Sequence, residues 1–287
     1  MSKSKQDPLH RDFYTRYVRF SELLHNAWID FVVQEEVVKI VEAKCTSEAF
    51  RVEILQTITS PVNAGKRSPT NIRGENLLGI ERRAFKHDKP VSVLLSALGL
   101  FEALMSDVAK LAYLSNPIRF LGKESKGAGG LELVGERENE KLLNILLASL
   151  TREDAIEAYV EEYLRGKFYG NPSDLFNKNV LGFDLHKSIA VTCKVELDLF
   201  KEITARRNII VHNRGRVDKK YVREVPGTPF KPAESVNVDS AYLFACLKVL
   251  DVLAVNYVNS VSMATVQKPL PPARTAHIKP TLKKAIS

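Results

Sequence analysis

Arg207 and His212 are the two side chains of this sequence whose types and spacing could do chemistry. A guanidinium grips an anionic group through two parallel hydrogen bonds. An imidazole exchanges protons near neutral pH. Together they suit a reaction that moves a proton beside a developing negative charge. Asn208 stands one helical turn before His212 and shares its face. Five residues set Arg207 and His212 about 140° apart around a helix axis. One protomer would therefore struggle to aim both at one point, unless the long arginine wraps or a second copy contributes. The plain alternative is that Arg207 pairs with a carboxylate such as Glu196 and His212 is an ordinary residue near a helix end, since Arg-x4-His also arises by chance.

The element that must position them spans residues 189–217, IAVTCKVELDLFKEITARRNIIVHNRGRV. Ile189, Cys193, Leu197, Phe200, Ile203 and Val211 repeat at helical spacing and form one stripe, with Thr204 also on it. Arg207 falls near the middle of that stripe, where a charge is costly without a partner. A conflict between pattern and residue type is expected at functional sites. The spacing predicts a helix over 185–213 that stops at Gly215. Seven basic residues and two acids lie between Arg206 and Glu224.

The rest of the 287-residue chain reads as helices joined by loops. One long helix is expected over 9–44, carrying Phe13, Tyr17, Phe20, Leu24, Trp28, Phe31, Val32 and Val38. Thr46 or Ser47 can cap a second helix with Phe50, Ile54 and Ile58. Residues 60–75 form a polar loop. A third helical region is broken near Pro90 and runs strongest over 91–114, apolar on nearly every side and therefore central. Helices over 137–150 and 152–164 follow, the second capped by Thr151. Asn171 caps a further start with Pro172 at the first position, and a last helix covers 238–258. Short strand candidates are limited to 131–134, 217–218 and 221–222, so the fold is expected to be all-α.

Several function classes are excluded on composition. Neither Gly65-Lys66-Arg67-Ser68 nor Gly122-Lys123-Glu124-Ser125 is a phosphate loop, because Ser60 and Pro117 stand where the first glycine belongs. No clustered carboxylates or paired histidines suggest a metal, and no cofactor is expected. Cys45, Cys193 and Cys246 are widely separated and read as buried free thiols of a reducing cytoplasm. No uninterrupted apolar run predicts a membrane span, and the first residues do not resemble a secretory signal. The net charge of +8 owes five uncompensated cations to residues 265–287, a stretch expected to be a disordered tail, so the body is nearly neutral. His25 is expected to be packed beside Trp28, His186 and Lys187 to be solvated, and His10, His87 and His277 to do nothing specific.

Arg207-Asn208-x-x-x-His212, late in a helix and followed by Asn213-x-Gly215-x-Val217-Asp218, resembles the R-x4-6-H motif of the HEPN superfamily. The upstream residues 169–176, YGNPSDLF, are similar to the segment before the motif helix in bacterial members of the RiboL-PSP type. The resemblance covers roughly residues 91–258. Arg214 stands where the toxin–antitoxin branch has tyrosine. What the resemblance implies is a helical bundle of HEPN type with additional N-terminal helices: residues 8–75 as N-terminal helices and loop, 76–262 as the HEPN-like core, and 263–287 as the basic tail. It further implies a metal-independent endoribonuclease acting as a homodimer, in a stress, toxin-like or phage-defence role, with an antitoxin or regulatory protein as partner and no membrane association. Arg207, His212 and Asn208 would be catalytic, with Asn208 orienting His212 or a ribose hydroxyl. Arg206, Arg214, Arg216 and Lys219 would bind RNA, while Phe200, Ile203 and Val211 would bring two copies together. The rival expectation is a catalytically inactive helical module that binds RNA or a protein partner.

Overall fold

The computed structural model of the chain describes residues 7–45, 51–54, 70–117, 149, 151–168 and 172–271. Its helices are α1 (Pro8–Cys45), α2 (Gly74–Arg83), α3 (Lys89–Ser115), α4 (Arg152–Phe168), α5 (Asp174–Asn177), α6 (Leu185–Thr192), α7 (Lys194–Asn213), α8 (Lys219–Glu224) and α9 (Ser240–Val266). The fold is all-α, with one short antiparallel ribbon of β1 (Arg51–Ile54) and β2 (Thr70–Arg73).

The two most apolar helices, α3 and α9, pack against each other at the centre, and α1 lies across both. Tyr257 on α9 donates to the Met105 carbonyl of α3 at 2.9 Å. That bond lets a phenol sit in the core without an orphaned hydroxyl. Phe101, Phe176 and Phe200 meet in one aromatic knot, with Phe101 and Phe200 edge to face at 5.4 Å. This knot ties α7 to α3 through α5. Residues 78–115 and 240–266 include segments long and apolar enough to cross a membrane by length and composition. Both segments carry scattered polar residues, and their buried sides supply the centre of the bundle.

Thr151 and Asp154 cap α4 reciprocally, the Asp154 amide donating to Thr151 Oγ1 at 3.1 Å and the Thr151 amide to Asp154 Oδ2 at 3.1 Å. The α-helical pattern is interrupted just before Pro90, as expected, but the chain does not leave the helix. Residues 84–88 form a π turn that leads straight into α3, and Pro90, in the first turn of α3, has no N–H to give to the turn before it. Ile54 is not helical but in β1, paired with Thr70. Val52, Ile54, Thr70 and Ile72 supply the β-branched residues that favour a strand. The expected cap at Thr46 or Ser47, the Asn171 cap, the helix over 137–150 and the strand over 131–134 lie outside the described residues. Tyr221 and Val222, candidates for a strand, are in α8 instead. The predicted 185–213 helix is two helices, offset at Cys193 (φ −123°, ψ 38°). Thr192 Oγ1 donates back to the Ser188 carbonyl at 2.8 Å, a bond that bends helices.

Phe13, Tyr17, Phe20, Leu24 and Phe31 of α1 belong to the same core as α3 and α9. Beyond α9 the chain stays attached through Leu270. That side chain is buried, and its amide donates to Asn259 Oδ1 at 2.8 Å. His10, expected to do nothing, is buried with Nε2 3.0 Å from the Pro269 carbonyl. His25, expected to be packed, is exposed, while His186 is partly buried.

Candidate nucleic-acid cleft on the motif helix

α7 changes its buried side partway along. Leu197, Phe200 and Ile203 face the main core. Ala205 and Ile209 face a second, smaller core with Val217, Tyr221 and Val236. At about 100° per residue the buried face swings by roughly half a circle between the two sets. The second core forms because the chain turns back at the end of α7. Arg214 and Gly215 both take positive φ, and the Gly215 amide donates to the Ile209 carbonyl at 2.9 Å. A side chain at 215 would also approach the Val236 carbonyl. The returning segment is fastened by bonds from the Val217 amide to the Glu234 carbonyl and from the Val236 amide to the Gly215 carbonyl, each 2.9 Å.

That swing decides which arginine is buried. Arg206 lies on the second core's side and is only 7% exposed. Its Nε donates to Glu202 Oε1 at 2.7 Å, its Nη1 donates to the Asn237 carbonyl at 3.0 Å, and the guanidinium stacks 3.8 Å from the Tyr242 ring centre. Glu202 also accepts from the hydroxyls of Tyr221 (2.8 Å) and Tyr242 (2.6 Å). Arg206, expected to bind RNA, is therefore an interior ion-pair residue.

Arg207 continues the line of Phe200 and Ile203 about two turns further along, past the point where that side of α7 is covered. It is partly exposed and lines an open cleft of about 1300 Å³ together with Lys201, Thr204, Asn208 and His212. These five positions fall within an arc of about 140° on α7. Arg207 has no carboxylate within ion-pair distance among the described residues, so the pairing with Glu196 does not occur. Its Nη1 donates to Asn208 Oδ1 at 3.2 Å. Asn208 thus holds Arg207 and makes no bond to His212. His212 is exposed at the cleft's edge.

The cleft also takes residues the sequence reading did not assign. Lys220 reaches it from α8, whose start is capped by Asp218 accepting from the Tyr221 amide at 2.7 Å. The rest of the lining comes from α3, with Leu98, Glu102, Met105, Asp107 and Lys110, from α4, with Glu161, Arg165 and Phe168, and from residues 172–177. Lys110 on α3 is clamped by Glu157 and Glu161 of α4. Arg214, Arg216 and Lys219 are exposed but lie outside the cleft lining. Phe200 and Ile203 are each 1% exposed and held in their own core, so they cannot join two copies. Val211, at 49% exposed, remains on the surface. Among the described residues no three His, Cys, Asp or Glu side chains are grouped to hold a metal ion.

The buried cluster behind Arg206 titrates abnormally. Burial opposes the Arg206 charge, but Tyr242 and Glu202 outweigh it and its pKa is raised. Burial, reinforced by Glu202, raises Tyr221 and lifts Tyr242 well above the phenol range. Burial also pushes the Cys246 thiol up to about 12. In each tyrosine and in Cys246 the folded state favours the neutral form. The stability they contribute is present below their unfolded pKa values and is lost as pH rises towards the folded ones. The melting temperature is therefore expected to fall from about pH 8 upwards, where the unfolded thiol starts to ionise. Cys246→Ala should flatten that decline by close to one proton, and an unchanged slope in a pH–melting series would refute the assignment.

Comparison with known proteins gives no family model that matches the chain, no similar curated protein and no similar solved structure.

Proposed function

We propose that the chain is a metal-independent endoribonuclease of the HEPN type. The observation that carries the reading is the shared cleft: Arg207, Asn208 and His212 all line it from α7, and Arg207 has no carboxylate to neutralise it among the described residues. An unpaired guanidinium in an open cleft is arranged to receive an anion. With an RNA phosphate on Arg207, the adjacent 2′-OH attacks phosphorus and the bond to the 5′ oxygen breaks. His212 takes the 2′-OH proton and returns it to the leaving oxygen. Arg207 stabilises the charge gathering on the phosphoryl oxygens. The products are a 2′,3′-cyclic phosphate and a 5′-OH. The Asn208 bond fixes Arg207 before substrate arrives, which lowers the ordering cost of the contact.

The same reading makes the protein a cytoplasmic homodimer with a stress, toxin-like or phage-defence role, held in check by an antitoxin or regulatory partner. The test is incubation with single-stranded and structured RNA in EDTA, beside Arg207→Ala and His212→Ala, with analysis of the RNA ends. Cyclic phosphate ends that vanish in both variants support the reading. Cleavage that needs a divalent metal, or that survives both substitutions, overturns it. RNA binding with no cleavage by the unsubstituted protein assigns the cleft to a catalytically inactive RNA-binding module.

A further inference from the structure

The two sides of the cleft differ in their unpaired charges. Arg207 and His212 stand on the α7–α8 side with Lys201 and Lys220, the lysines paired with Asp198 and Glu224 and Arg207 without a carboxylate among the described residues. Glu102 and Asp107 stand on α3, exposed and without an ion pair among the described residues. Beside them the partly exposed ring of Phe168 from α4 offers apolar surface, while Leu98 and Met105 of α3 are buried in the core. At about 1300 Å³ the cleft exceeds the range of about 300–1,000 Å³ usual for small-molecule pockets. Its size therefore suits a segment of polymer.

Unpaired carboxylates facing an anion-binding wall would repel a polyanion unless the ligand turns hydrogen-bond donors towards them. One strand of nucleic acid can meet both walls: phosphates along one edge, bases with flat apolar faces and N–H groups along the other. A duplex cannot do so, because it would carry phosphates to both sides. We propose that the α3–α4 wall reads bases, with Glu102 and Asp107 accepting hydrogen bonds from exocyclic amino groups while a base stacks on the Phe168 ring. This rests on the cleft being the RNA site of the proposed function, and it adds the polarity of the strand across the cleft and a specificity. Cytosine offers an N4 amino donor to a carboxylate, whereas uracil offers the O4 acceptor in its place, setting lone pair against lone pair. Uridine runs are disfavoured.

The experiment is binding of short 2′-O-methyl oligomers, which lack the attacking hydroxyl and cannot be cleaved, at one fixed salt concentration. Oligo(C) is expected to bind the unsubstituted protein about tenfold more tightly than oligo(U). In Glu102→Gln/Asp107→Asn, whose amides both donate and accept, the two affinities should converge to within about twofold, chiefly through tighter oligo(U) binding. Comparing the variant with the parent cancels the intrinsic stacking difference between the two oligomers. Equal affinities in the parent, or a preference that persists in the double variant, overturn the base-reading wall. When such a result accompanies intact metal-free cleavage, the proposed function survives and only this inference falls. Failure of every oligomer to bind overturns both.

Discussion

Arg206→Ala is expected to lower the unfolding free energy by about 3–5 kcal/mol, while Arg207→Ala, one residue along, changes it by no more than about 0.5 kcal/mol. The contrast follows from the half-circle swing of the buried side of α7. Arg206 is enclosed, bonded to Glu202 and the Asn237 carbonyl and stacked on Tyr242. Its removal leaves the largely buried Glu202 carboxylate with only two tyrosine hydroxyls, and takes away one of the bonds that fasten the 214–238 return to α7. Arg207 is partly exposed and bonded only to its neighbour Asn208, so its loss removes little packing and leaves no charge stranded. Denaturant titration of both variants checks this, with the midpoint expected to move for Arg206→Ala alone and the slope to stay constant. A comparable loss in Arg207→Ala would make Arg207 a structural residue and remove the basis for the cleft chemistry.

How much of this was legible in the sequence differs from element to element. The helical class, the central position of α3, the Thr151 cap and the stop at Gly215 all rest on local rules of periodicity and capping, and these hold in the structure. The stripe on α7 also identified Arg207 as an outlier among apolar neighbours. It assumed, however, that one side of a helix stays buried from end to end. That assumption fails here because residues 214–238 fold back to make a second core, and the return depends on pairings such as Val217 with Glu234 that no local window contains. The same cause hid the role of Arg206 and wrongly offered Phe200 and Ile203 as a surface. The far wall of the cleft comes from α3 and α4, distant in sequence from the motif. Glu102 and Asp107 are the two acids of an otherwise apolar helix, and no local pattern singles them out. His10 and Leu270 were missed for a similar reason: each is buried only because the two ends of the described chain meet.

His212→Ala is expected to slow RNA cleavage by about 10²–10⁴-fold, the usual contribution of a positioned proton-transfer group, with little change in RNA affinity. Arg207→Ala should reduce both, because a guanidinium on a phosphate acts before the transition state as well as in it. Salt dependence separates the two roles. Losing one phosphate contact should lower the slope of log affinity against log salt by about one in Arg207→Ala and leave it unchanged in His212→Ala. Arg207→Lys keeps the charge and so should keep the slope, but it lacks the two-pronged grip and should recover only part of the rate. The expected pattern is an affinity and slope defect confined to Arg207→Ala, with a rate defect in all three variants. If His212→Ala cleaves normally while Arg207→Ala still loses affinity and slope, the cleft remains an RNA-binding surface and the proton transfer must be placed elsewhere. If neither substitution alters the salt slope, the unpaired charge of Arg207 does not meet phosphate, and the functional reading of the cleft fails at its first step.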